Sequence, residues 1–330
     1  MAFPKTDYDI VLVQPPAEVV REMYDQPDFP AIALAYLGRY LEENTKFSVA
    51  IVDARLAQLS VKETLAQVLA LKPKVVGLSA MTHMITTAGK VAAGLKIANP
   101  DIELVLGGFH VSFLPERTLA EFPAFDFAVV GEGEMAFADL VSALLNASEY
   151  AGIPGVWFMR DGKVVDNGRG TIPDILDELG SPAWHLFDRD IMAKYCKSLG
   201  IMGQRGCPFA CNFCSRPYGR LIRKRTPNHI VDEMEHGHRK YGIERFWFFD
   251  ETFSIDKNHV YKICDDIVRR GLHRRVGWSS MVHANTIDNE LILAMLDAGN
   301  IHLSFGVESG NENIIAQMGK GVTKAKLTAA

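Results

Sequence analysis

The chain repeats one rhythm. A short apolar run stops at a small or acidic residue, a helical pattern follows, and another apolar run begins. Residues 9–13, 47–52, 75–78, 103–106 and 127–130 are the first five runs. Apolar residues recur at helical spacing over 31–43, 61–71, 86–99 and 136–145. Strands that are apolar throughout and separated by helices predict a parallel sheet covered on both faces. Ligands of such sheets sit beyond the carboxyl ends of the strands. Here those ends are Ser79, Gly107-Gly108 and Gly131-Glu132-Gly133-Glu134. Small residues there let a bulky ligand approach the backbone, although each alone also suits a tight turn.

The rhythm resumes near residue 199. Runs at 199–202, 244–249, 275–281 and 301–307 alternate with helical patterns over 226–241, 258–270 and 288–298. The strand ends are polar: Asp250-Glu251, then Ser280, His283 and Asn285, then Glu308-Ser309. Four such units predict part of a parallel barrel, whose chemistry sits at that face. Thr226-Pro227 reads as N-cap and first turn of a helix. The basic run 220–225 (RLIRKR) suits either a place near anionic groups of substrate or cofactor or a solvated segment, and the solvated reading is favoured. Between the halves, residues 153–165 read as a hairpin with an Asp161-Gly162 turn. Residues 166–190 read as a Gly-, Pro- and Asp-rich linker, with Trp157, Trp184 and Phe187 packing it onto a domain face. The expected division is 1–148, a connector over 149–192, and 193–330. A length of 330 residues suits about two domains.

Three of the five cysteines, Cys207, Cys211 and Cys214, lie in the spacing CxxxCxxC. Three thiolates in so short a stretch can wrap one small metal centre, and soft ligands select zinc, copper(I) or iron–sulfur. Structural zinc takes four closed ligands, usually as two pairs, and there is no second pair. A cubane cluster has four irons, so three cysteines leave one iron for another ligand. A disulfide loop is the remaining alternative, and the start MAFPKTDYD offers no secretion signal. Cys264 lacks a partner at ligand spacing and reads as core. The net charge of −5 gives no footprint for nucleic acid, and no run approaches the ~20 apolar residues of a membrane span. A cytoplasmic protein is expected.

With Phe213 just before the third cysteine, the stretch resembles the radical SAM family. The series Ser79-Ala80-Met81, Gly107-Gly108 and Gly131-Glu132-Gly133-Glu134, with the phrase GGFHVSFLPE, resembles the cobalamin-binding domain that precedes many radical SAM domains. The resemblance implies a Rossmann-like (flavodoxin-like) cobalamin domain followed by a partial (β/α) radical SAM barrel. It implies a [4Fe–4S] cluster on Cys207, Cys211 and Cys214. Phe213, Asp250 or Glu251, Ser280, His283, Glu308 and Ser309 would meet S-adenosylmethionine. Ser79, Met81, Gly107, Gly108, His110, Gly131 and Glu132 would meet cobalamin. Two departures stand out. The loop after the first strand is Gln14-Pro15-Pro16-Ala17, without the family's cobalt-ligating histidine, although His83 and His110 lie at other strand ends. His283 stands where related members carry an arginine.

The family's reactions on small molecules imply methyl transfer to an unactivated carbon, or oxidative cyclisation of a tetrapyrrole ester, with flavodoxin or ferredoxin as reductant. A non-catalytic corrinoid- or cluster-binding module is the reading from another class. The family's barrel has about six strands and this chain supplies four. That implies a piece of a longer protein, with the apolar run LSFGV left at a sheet edge; the alternative is that a second chain or the N-terminal domain covers that edge.

Overall fold

A computed structural model describes residues 3–17 and 28–330. The chain forms two compact units, Met1–Pro173 with Leu179–Cys196, and Asp174–Glu178 with Lys197–Ala330.

The first unit is built on a seven-stranded sheet. Its strands are β1 (Ile10–Gln14), β2 (Val49–Asp53), β3 (Val75–Ser79), β4 (Glu103–Gly107), β5 (Phe127–Val129), β6 (Val156–Arg160) and β7 (Lys163–Val165), in the order β2-β1-β3-β4-β5-β6-β7. The first five are parallel. Helices Ile32–Asn44 and Glu134–Leu145 pack together, as do Val61–Ala70 and Ile85–Ala98. This is the doubly wound order in which the sheet reverses direction between β1 and β3. β1 is central, and Ile10 to Val13 are wholly buried. Truncating Leu12 to Ala there costs about 2–5 kcal/mol. Ser60 and Glu63 form a reciprocal capping box that starts helix Val61–Ala70.

The hairpin assigned to the connector belongs to this sheet instead. β6 pairs antiparallel with β5, Ala128 opposite Trp157, and β7 closes the edge. Trp157 is buried and its indole N–H donates to the Gly168 carbonyl at 2.6 Å. Trp184 and Phe187 are buried as well, and Phe187 bridges to Ile51 of β2.

The second unit holds a four-stranded parallel sheet of β8 (Leu199–Ile201), β11 (Arg245–Phe248), β12 (Gly277–Val282) and β13 (Asn300–Phe305), in the order β13-β12-β11-β8. A small antiparallel pair, β9 (Gln204–Arg205) with β10 (Arg223–Lys224), stands apart from it. Helices Pro227–Tyr241, Lys257–Arg269 and Asn289–Asp297 connect the parallel strands. Wholly buried Trp278 packs with Phe248 and Phe253, ring centroids 5.4 Å away in each case. β13 is a sheet edge, with Ile301 exposed.

Two local expectations change. Within 220–225, Arg223 and Arg225 are buried rather than solvated. Arg225 pairs with Glu233 of the following helix and stands 3.9 Å from Asp177, so burial is offset by opposite charge. Thr226 sits at the N-cap position, but its hydroxyl caps nothing; its N–H donates to Asp177 at 3.0 Å. Among the described residues no helix is long and apolar enough to cross a membrane.

Candidate functional site

In the second unit the chain leaves β8 through Gly203 into β9, and β9 with β10 forms the neck of a loop over residues 206–222. Gly206 closes that neck at φ 100°, where an added Cβ would lie 2.0 Å from the Leu221 carbonyl oxygen. Only glycine fits. The neck is tied to the end of β11 by Asp250. Its buried carboxylate accepts from the N–H groups of Gly203 at 2.7 Å and Gln204 at 3.2 Å. Burial pushes this carboxyl up to about 7, against the pull of those two hydrogen bonds. Gln204 answers by donating to the Thr252 carbonyl.

The loop presents Cys207, Cys211 and Cys214 as free thiols, the first two half-buried and the third exposed. Cys207 Sγ lies 3.6 Å from the Thr252 hydroxyl, and Cys214 N–H donates to the Cys211 carbonyl at 3.3 Å. Burial raises the Cys211 thiol, the Lys320 ammonium opposes it, and Cys207 and Cys214 add to the rise. Among the described residues no three His, Cys, Asp or Glu side chains converge on a single metal ion. A cubane cluster seats each thiolate on a different iron, so it needs a wider spread than the ~2.3 Å bonds of one zinc ion.

Apart from Phe213 in the cysteine loop and Ser280 within β12, the remaining predicted residues of this unit lie past the carboxyl ends of the parallel strands. His283 follows β12, stacked on Phe209 of the cysteine loop with ring centroids 3.7 Å apart and planes 11° from parallel. Its Nδ1 accepts from Asn285 N–H at 3.2 Å. Burial, then the Lys320 ammonium, holds its pKa below the usual histidine range, with a smaller opposing pull from the Lys320 backbone. Ser280, within β12, is wholly buried, and its hydroxyl has no hydrogen-bond partner among the described residues. Such an orphan is costly and fits a site completed by a ligand. Glu251 is half-buried beside Asp250. Glu308, past β13, is held in the left-handed region at φ 63° and accepts from Lys320 Nζ at 2.9 Å. Ser309 Oγ accepts from Asn311 N–H. Phe213 is 55% exposed.

In the first unit the glycine-bearing strand ends are bound together. At Gly108, φ is 95°, and an added Cβ would stand 2.7 Å from the Ala80 carbonyl oxygen and 3.0 Å from Ser79 Oγ. Ser112, which the sequence reading passed over, donates to the Gly108 carbonyl and accepts from Gly131 N–H, both at 2.9 Å. Its only sequence signal is its place four residues after Gly108. Gly107 ends β4, Met81 is 49% exposed, and Glu132 is buried. His110 is buried with Nδ1 3.2 Å from the Thr82 hydroxyl, and burial holds it below the usual histidine range. His83 is exposed. Gln14, at the end of β1, donates to Met84 Sδ at 3.2 Å. These bare strand ends fit a flat, bulky ligand, and residues 14–17 offer it no histidine.

Fold and site define a two-unit α/β protein with an iron–sulfur-type cysteine loop at the head of its second sheet. Residues 25–141 match the B12 binding domain family and residues 201–330 the Radical SAM superfamily. The chain is 32% identical to an uncharacterized methyltransferase of Pyrococcus horikoshii, over 95% of this chain and 68% of that protein. It is 31% identical to the anaerobic magnesium-protoporphyrin IX monomethyl ester cyclase of Rubrivivax gelatinosus, over 90% of this chain and 55% of that one. In fold it is similar to TsrM of Kitasatospora setae, a radical S-adenosylmethionine methyltransferase. The TM-score is 0.81 at 18% identity, covering 98% of this chain and 64% of that one. The chain belongs to the cobalamin-binding radical SAM family, and it spans about half to two thirds of the length of these relatives.

Proposed function

We propose that the chain is an enzyme that uses cobalamin, S-adenosylmethionine and a [4Fe–4S] cluster to move a methyl group onto an unactivated carbon of a small molecule. The observation that carries this reading is the loop over 206–222, with its three free thiols, in a chain 32% identical to an uncharacterized methyltransferase. When bound, the cluster supplies the electron that cleaves S-adenosylmethionine, and cobalamin carries the methyl group. The protein's part is to bind, orient and exclude water.

Cys207, Cys211 and Cys214 are the cluster ligands in this reading. Asp250 is engaged by Gly203 and Gln204, which favours Glu251 as the acid for the methionine ammonium. Phe213 packs on the adenine, Glu308 and Ser309 serve the ribose, and Ser280 and His283 complete the pocket. Ser79, Met81, Gly107, Gly108, His110, Gly131 and Glu132 would line the cobalamin site, and residues 14–17 contain no histidine to offer it. Reduced thiols and an open iron suit a reducing cytoplasm with flavodoxin or ferredoxin as electron donor. Oxidative cyclisation of a tetrapyrrole ester is the second reading, favoured by the 31% identity to the Rubrivivax gelatinosus cyclase.

Anaerobic reconstitution with iron, sulfide and hydroxocobalamin tests the proposal. After dithionite and S-adenosylmethionine are added, 5′-deoxyadenosine is measured, with Cys211→Ala as control. About four irons per chain, bound corrinoid and cysteine-dependent cleavage are expected. Cluster and corrinoid without cleavage would instead make the chain a binding module, and failure to hold any cluster would sink the reading.

A further inference from the structure

The cysteine loop is gripped by a turn more than a hundred residues away. Asn212, between Cys211 and Cys214, donates its backbone N–H to the Met318 carbonyl at 2.9 Å and its side-chain amide to the Gln317 carbonyl at 2.7 Å. Asn285, after β12, donates to the Gly321 carbonyl at 2.7 Å. Lys320 lies inside this turn. Its side chain is 8% exposed, and its ammonium donates to the Gly306 carbonyl at 2.5 Å and to Glu308 Oε1 at 2.9 Å. The turn thus joins the cysteine loop to the ends of β12 and β13 and carries a buried cation at the junction.

A spacer alone would not need that cation. An apolar side chain would fill the same place without the cost of burying an ammonium. The charge lies next to the loop that carries Cys211, since a Cβ added at neighbouring Gly319 would stand 3.0 Å from the Ala210 carbonyl oxygen.

We propose that Lys320 is a positioning residue of the cluster site, whose buried ammonium, seated on Glu308, sets the charge against which the cluster accepts its electron. Reduction adds one negative charge, and iron–sulfur potentials respond to net charge and nearby hydrogen bonds. Lys320 favours the reduced state and Glu308 tempers it. The inference rests on the reading that Cys207, Cys211 and Cys214 hold a cluster.

The test is a redox titration of the reconstituted full chain without S-adenosylmethionine, after iron per chain has been measured for each variant. In Lys320→Gln the reduced-to-oxidised ratio at a fixed potential falls about tenfold, which is about 59 mV for a one-electron couple. Glu308→Gln raises the ratio, the double variant returns it towards wild type, and Lys320→Arg keeps it. The opposite signs separate electrostatics from a disturbed fold, which would move both single variants the same way. Variants that load iron normally and share the wild-type ratio overturn the inference and leave the cluster reading standing, as does a shift of both in one direction. A wild-type chain that loads no iron overturns both. If Lys320→Gln fails to load, the sign of the Glu308→Gln shift decides.

Discussion

The two units carry their candidate sites by opposite means. In the first unit the site is made of absence. Strands end in Ser79, Gly107 and, just past β5, Gly131, and what matters is the backbone left uncovered. In the second unit the site is made of presence: three thiols, a buried acid under the loop's neck, a histidine stacked on a phenylalanine, and a buried lysine. The first arrangement suits a large, preformed ligand held by shape. The second suits a small inorganic centre that must be ligated, oriented and charged. One chain can therefore lose either function without losing the other, and substitutions should separate them.

The sharpest break comes from the thiols. Alanine at Cys207, Cys211 or Cys214 is expected to remove nearly all cluster iron while leaving corrinoid uptake at the wild-type level. Iron assay and corrinoid absorbance on the same sample check this, and loss of both together would break the comparison. Next is Gly108→Val. A side chain there meets the Ala80 carbonyl and demands a φ of 95°, a strain of about 1–3 kcal/mol. Corrinoid uptake should fall by more than about tenfold while iron uptake stays intact.

Asp250 sharpens the second side of the comparison. Its carboxyl is raised by burial to about 7, well above its value in the unfolded chain. The folded protein therefore holds a proton that the unfolded chain has released, and that contribution to stability is lost as pH rises from about 4 through 7. An amide at this position does not titrate. Asp250→Asn should thus gain stability relative to wild type between about pH 5 and about pH 8, by roughly 1–3 kcal/mol. Thermal unfolding at the two pH values measures it, and an unchanged difference would show that Asp250 does not titrate in that range. The smallest effect is expected at Ser112→Ala, which removes two hydrogen bonds linking Gly108 and Gly131. A loss of about 1 kcal/mol and a several-fold weaker corrinoid affinity, read by titration, are expected.

The same contrast explains what the sequence made legible. The alternation of apolar runs and helices was enough for the doubly wound unit and the four parallel strands, because fully buried parallel strands need continuous apolar stretches. The cysteine spacing is local and chemically specific, so it was legible too. What escaped were contacts between distant segments. Nothing near Asn212 announces Met318, and nothing in RLIRKR says that Arg225 will be buried against Glu233 and Asp177. The hairpin over β6 and β7 was visible as a hairpin, but its pairing to β5 depends on register rather than on turn chemistry.

The hydrogen bond from Asn212 to Gln317 spans 105 residues, and this has a consequence for how the protein is made. Ribosomes add about 5–20 residues per second, so the stretch from the thiols to the turn that grips them takes on the order of ten seconds to emerge. During that interval the loop that carries the three thiols lacks the turn that grips it. A chain halted before residue 317 therefore carries the cysteine loop without the two hydrogen bonds that hold Asn212 in the folded protein.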